Sequence, residues 1–230
     1  KSWSISPVVA VLNSNSFSNA SPINKDLANS TKGNNSYSYG VQVGYQINNK
    51  WTIQSGVHVQ EIQFSNNYVA VAPASSNPSS ALFNSGENYS LDDTSSKNFD
   101  SNNLSLSALS LDGNLDQTYG YIEIPVEVKY NVSDGKLGVN VVGGFSTLLL
   151  NKDEVFVETN NFTQSLGSSN NLRNINFSGN FGVDLDYSIQ KNLFINVSPM
   201  FKIQTNTFSK NAGSIQPYYF GVYTGLNYKF

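Results

Sequence analysis

From Phe177 to Ile189 the residues alternate in character. Phe177, Gly179, Phe181, Val183, Leu185, Tyr187 and Ile189 take the odd positions; Ser178, Asn180, Gly182, Asp184, Asp186 and Ser188 take the even ones. Successive side chains of an extended strand point to opposite faces. One face of this segment therefore suits an apolar medium and the other suits water or charge. The pattern recurs. Tyr119–Tyr130 sets Ile122, Ile124, Val126, Val128 and Tyr130 against Tyr121, Glu123, Pro125, Glu127 and Lys129. Tyr37–Ile47 sets Tyr39, Val41, Val43 and Tyr45 against Ser38, Gly40, Gln42 and Gly44. Tyr218–Phe230 sets Phe220, Val222, Leu226, Tyr228 and Phe230 against Tyr219, Gly221, Gly225, Asn227 and Lys229. A soluble sandwich can use one such strand. Several of this length, rich in aromatics and ending on an aromatic, fit an all-β, antiparallel transmembrane β-barrel.

Eight strands are predicted, at about Trp3–Leu12, Tyr37–Ile47, Trp51–Phe64, Tyr119–Tyr130, Leu137–Leu149, Phe177–Ile189, Leu193–Thr205 and Tyr218–Phe230. The first and third are less clear; Val8, Ala10 and Leu12 blur the polar face of the first. Connections alternate in length. Short turns fall at Asn48–Lys50, Asn131–Lys136 and Gln190–Asn192; long ones span Asn13–Ser36, Ser65–Thr118, Leu150–Asn176 and Asn206–Pro217. Outer-membrane barrels keep short turns in the periplasm and long loops outside the cell. An even strand count then leaves both termini periplasmic. Lipid should face Val126, Val128, Val183, Leu185, Val222 and Leu226.

Composition narrows the class. Charged residues make up 13% of the chain, against ~25% in ordinary soluble proteins. A net charge of −3 argues against nucleic acid as a partner. There is no cysteine, which excludes disulfides and thiolate metal sites. No run of about 18 apolar residues encodes a membrane helix. Residues 1–230 read as one barrel domain, with Lys1 a processed end or the start of a domain cut from a longer chain.

Candidate functional residues cluster on the inward face. Glu123, Glu127, Asp184 and Asp186 share it with Lys129, Lys202 and Lys229. An eight-stranded barrel is only wide enough for its side chains to fill, so these charges are expected to pair and plug the lumen. His58 is the one histidine. It lies in period with Gln54 and Gln60, and a hydrolase triad would need a nucleophile and an acid beside it. Asp112-Gly113-Asn114-Leu115-Asp116 has the oxygen spacing that opens a calcium loop but lacks the later glycine and glutamate, so no metal or cofactor is expected. Trp3, Trp51, Tyr130, Tyr187 and Tyr228 gather at the short-turn end, where an interfacial aromatic girdle belongs. Pro7, Pro125 and Pro199 fall inside predicted strands and imply bulges or strand ends. The long segment 65–118 is either functional or mobile; its Ala70–Pro73 and Leu104–Leu106 pieces are candidate strand extensions, and surface binding through such loops is an alternative role.

Four segments carry a family resemblance: Trp3-Ser4-Ile5-Ser6-Pro7, Tyr121–Tyr130, Gly143-Gly144-Phe145-Ser146 and Tyr223–Phe230. Together they resemble the outer-membrane β-barrel domain of Bacteroidota, including PorT-like barrels. More narrowly, the chain is similar to the C-terminal barrel of dual-membrane-spanning anti-sigma factors. That resemblance implies a barrel that anchors, and senses the state of, the outer membrane for a regulator or envelope complex in signal transduction. It supplies no catalytic residues. Outer-membrane lipid and other envelope proteins are the implied partners. The terminal Tyr228 and Phe230 resemble the signal read by the barrel-assembly machinery.

Overall fold

In the computed structural model, the described residues are 2–16, 31–33, 35–73, 83–84, 89–91, 111–158, 163–169, 172–205, 207 and 217–230. Their regular elements are all strands: β1 (Ser2–Ser16), β2 (Thr31–Gly33), β3 (Asn35–Gln46), β4 (Trp51–Pro73), β5 (Phe83–Asn84), β6 (Tyr89–Leu91), β7 (Leu111–Ser133), β8 (Leu137–Glu158), β9 (Thr163–Ser169), β10 (Ile175–Gln190), β11 (Leu193–Thr205) and β12 (Pro217–Lys229).

Eight of them make the wall. The antiparallel order runs β10-β11-β12-β1-β3-β4-β7-β8, and β8 pairs back onto β10 to close the ring. The seam between chain ends is hydrogen-bonded: Trp3 N–H donates to Phe230 O at 3.1 Å and Phe230 N–H donates to Trp3 O at 2.9 Å. A closed wall leaves no strand edge unpaired in lipid.

The period-2 alternation sets the two surfaces. Val126, Val128, Val222 and Leu226 are exposed on the outside, with Val183 and Leu185 half-exposed beside them. Glu123, Glu127, Asp184, Asn180 and Lys202 are buried inside. On β1, Val9 and Val11 face out while Val8, Ala10 and Leu12 face in. These three pack with Val142, Met200 and Tyr223 as an inner apolar cluster, so this interior is not uniformly polar.

Several predicted boundaries shift. β4 continues to Pro73, taking in Ala70–Pro73, and β7 begins at Leu111. β8 extends to Glu158. The candidate calcium segment Asp112–Asp116 is thus extended strand, paired to β4 and β8. A strand sends alternate side chains apart and cannot wrap a cation as a loop does. The Leu104–Leu106 piece lies outside the described residues. The turn after β7 tightens to Asp134-Gly135-Lys136, where Gly135 takes a φ of +151°, a conformation L-residues rarely adopt.

The prolines produce neither bulges nor strand ends. Each sits where one of its two ladders is interrupted while the register runs on. Pairing passes from Ile5↔Tyr228 to Val8↔Gly225 around Pro7. It passes from Ser55↔Val126 to His58↔Glu123 beside Pro125, and from Gly182↔Met200 to Leu185↔Val197 beside Pro199. Proline has no N–H to give its ladder. Ser55 Oγ donates to Pro125 O at 2.7 Å, so a side chain satisfies the carbonyl left without a ladder partner there.

Candidate functional site in the barrel lumen

The lumen is organised in levels along the barrel axis. Nearest the short turns, Lys129 on β7 contacts Asp184 on β10 and lies 4.0 Å from Asp186. Asn140 Nδ2 donates to Asp186 Oδ2 at 2.9 Å, and Asn196 Nδ2 donates to Asp184 Oδ1 at 3.3 Å, with Ser198 Oγ donating to the same oxygen. Higher up, Glu123 on β7 accepts from Lys202 Nζ at 2.6 Å, from Ser146 Oγ at 2.5 Å, and from Gln60 Nε2. Lys202 is also 4.7 Å from the Tyr223 ring centroid. β10 and β11, which bear Asp184, Asp186 and Lys202, share no ladder with β7, so these ion pairs span the interior, whereas Gln60 and Ser146 reach Glu123 from the neighbouring strands β4 and β8.

Two of the seven candidate charges lack the expected ionic partner. Glu127 has no ion pair among the described residues; Gln54 Nε2 and Asn180 Nδ2 donate to it at 2.7 and 2.9 Å. Neutral amides can satisfy a carboxylate's lone pairs without supplying charge. Lys229 lies at the mouth over the Phe194 ring, 4.4 Å from its centroid, and shares a cavity with Asp186 but forms no ion pair among the described residues.

His58 is buried and its Nδ1 is 3.6 Å from Glu123 Oε2, but neither ring nitrogen is hydrogen-bonded. Among the described residues no hydroxyl is hydrogen-bonded to His58, as the triad reading required. Two glycines make the room for these groups. A Cβ at Gly40 would meet His58 Cδ2 at 2.6 Å, and one at Gly144 would meet Glu127 Cγ at 2.8 Å.

Above Glu123 the interior turns aromatic. Ile62, Phe64, Tyr119, Tyr121, Leu148 and Tyr219 form one buried cluster. Phe64 stacks on Tyr119 with centroids 5.9 Å apart, and Tyr119 meets Tyr121 edge-on at 5.7 Å. Sequence reasoning missed this layer, and it missed the amides and serines that hold the carboxylates. All lie on the inward parity of their strands, which was the available signal.

On the outer wall, Trp3, Trp51, Tyr130, Tyr187 and Tyr228 all project outward at the short-turn end. Trp3 packs on Tyr45 at 4.7 Å and Trp51 on Tyr130 at 4.8 Å. Toward the opposite rim the outer face becomes charged: Lys152 Nζ lies 3.4 Å from both Glu61 and Glu154. The apolar band ends below that cluster. Inside the rim, Asp153 accepts from Ser169 N–H at 2.8 Å and from Gln117 Nε2 at 3.4 Å. Burial pushes the Asp153 carboxyl up to about 6 against those two bonds.

A family model described as an outer membrane protein beta-barrel domain matches residues 2–204. The chain belongs to this family. Its place is therefore the bacterial outer membrane. No curated protein matches the chain in sequence. Among solved structures, this outer-membrane barrel is similar to OprG from Pseudomonas aeruginosa, with 11% identity, a TM-score of 0.50, and 100% and 95% of the two chains covered. Neisserial surface protein A shares 11% identity over 99% of this chain and 97% of its own, with a TM-score of 0.45. The Escherichia coli outer membrane protease OmpT shares 11% identity over 87% of this barrel and 65% of its own length, with a TM-score of 0.43.

Proposed function

We propose that this barrel is a non-conducting anchor, with a lumen closed by its own side chains, short turns in the periplasm and the extended rim outside the cell. The cross-lumen packing carries this reading: Lys202–Glu123 and Lys129–Asp184 bridge the interior beneath a buried tyrosine layer. Eight strands leave an interior narrow enough for side chains to block. The five outward aromatics at the short-turn end suit a headgroup belt, which fixes the depth of the wall. On this reading the anchor serves a longer envelope regulator, as its resemblance to the barrels of dual-membrane anti-sigma factors implies. Ser2 and Phe230 lie at the same short-turn end, where a periplasmic linker would join. No residue takes a catalytic role.

The deciding experiment is conductance of the purified barrel in a planar bilayer. A silent membrane with inserted, heat-modifiable protein is expected; steady ohmic steps would refute a closed lumen. The sensing part is tested by exchanging the barrel for an unrelated eight-stranded one in the full-length regulator. Loss of envelope-responsive transcription is expected, and an unchanged response reduces the barrel to a passive tether.

Surface recognition is a second reading, favoured by wall length. β4 and β7 each have 23 residues and β8 has 22, whereas a tilted strand crosses a bilayer in about 9–11. The surplus forms a sheet that stands clear of lipid. Cells carrying the barrel with these extensions trimmed should lose adhesion to host surfaces if recognition is its role.

A further inference from the structure

Two cavities lie on the short-turn side of the Glu123–Lys202 pair. The larger, of about 90 Å³, opens among Ser4, Gln46, Asn131, Asp186, Asn227 and Lys229. The smaller, of about 20 Å³, sits beneath His58, Lys202 and Tyr223. Gln42, Gln54 and Lys129 line both, so these side chains stand between them. A polar cavity holds water once it offers roughly 10–15 Å³ and several polar partners. Both meet that condition. Asn131 Oδ1, Asp186 Oδ1 and Asn227 Oδ1 on the larger cavity are buried without a protein partner, as are His58 Nδ1, His58 Nε2 and Asn196 Oδ1 on the smaller. Buried polar atoms of this kind are normally satisfied by water.

The charged levels of the lumen are therefore wettable, although Val8, Val142, Met200 and Tyr223 give the smaller cavity one apolar side. The layer above them is different in kind. Ile62, Phe64, Leu148 and three tyrosines meet there by ring and aliphatic contact, and the three buried hydroxyls are the only polar atoms these six side chains carry. Narrow constrictions lined by such groups stop ions by excluding water, which charged side chains do not do.

We infer that the tyrosine layer, and not the ion pairs, closes this lumen, leaving a water-filled half-channel that reaches His58 from the short-turn mouth. The inference rests on the closed-lumen reading and assigns the barrier within it. Tyr119, Tyr121 and Tyr219 form the seal. Lys129 and Lys202 line this half-channel, while their partners Asp184 and Glu123 stay buried behind them and brace the wall.

The test compares three proteins in planar bilayers, each first shown to be heat-modifiable. They are the unaltered barrel, Tyr119→Ala with Tyr219→Ala, and Glu123→Gln with Lys202→Met. The last pair removes both charges together and so strands neither. The expected pattern is silence from the first and third, with steady conductance steps from the tyrosine variant. Steps from the unaltered protein would sink the closed-lumen reading itself. With that protein silent, steps from the charge variant, or silence from the tyrosine variant, would overturn the assignment. If the double tyrosine variant fails to fold, Tyr219→Ala alone takes its place and is judged by the same outcomes.

Discussion

Lys202 Nζ lies 2.6 Å from Glu123 Oε1, joining β11 to β7 across the lumen although the two strands share no ladder. Both side chains are almost wholly buried. The pair therefore ties opposite parts of the wall, and its members are unequal in what their loss exposes. Glu123 keeps donors from Ser146 and Gln60, whereas Lys202 would keep the face of Tyr223 but no carboxylate within ion-pair distance among the described residues.

Removing one partner strands a buried charge. Lys202→Met and Glu123→Gln should each cost about 3–5 kcal/mol, and the double replacement much less than the sum. Urea unfolding of the barrel refolded in phospholipid vesicles measures this. Additive costs would show that the two groups act separately.

The lipid face gives a depth-dependent prediction. Val126→Arg or Leu185→Arg, near the middle of the apolar band, should destabilise by about 2–4 kcal/mol. The same change at Ile189, beside the short turns, should cost far less. Equal penalties at both depths would mean that this surface does not face hydrocarbon.

Asp153 links the rim to pH. Its carboxyl is raised to about 6 by burial, so between its unfolded value and 6 the folded state binds more protons than the unfolded one. Stability from this group is therefore greatest below the unfolded pKa, falls as pH rises to about 6, and is level above that. Asp153→Asn should remove this slope and stabilise the β8–β9 pairing at neutral pH. Amide hydrogen exchange at Ser169 reads the effect, and an unchanged pH profile in the variant would refute it.

Phe230 separates insertion from stability. Its deletion removes two seam hydrogen bonds to Trp3, a modest loss in a wall of many ladders. We expect the deletion to lower membrane-inserted, heat-modifiable protein in cells more than refolding yield in detergent. Equal losses would indicate ordinary destabilisation, and normal insertion would remove any role as an assembly signal.

The barrel was legible because its wall obeys a period of two wherever lipid is on one side and the lumen on the other. Legibility failed where that contrast ends. Beyond Glu61, Lys152 and Glu154 the outer face meets water, so polarity no longer alternates although the ladder of β4, β7 and β8 continues. Proline was misjudged for a related reason. Periodicity assigns a side chain to a face, but it does not say which neighbouring strand a missing N–H would have served. The lumen charges were visible by parity, while their pairing was not. Whether Glu127 meets a lysine or two amides depends on shear and strand tilt, which set who stands opposite whom across the interior.

The seam has a consequence for the order of events during synthesis. Trp3 and Phe230 are nearly as far apart in the chain as two residues here can be, and their pairing completes the ring. Contacts of such long range form late and slowly. An emerging amino-terminal portion has no closing partner, and its strand edges and apolar faces stay open until the last strand arrives. Such a chain has no stable partly built stage to rest in. It must cross the periplasm unfolded and protected, and become a barrel only once both ends can meet.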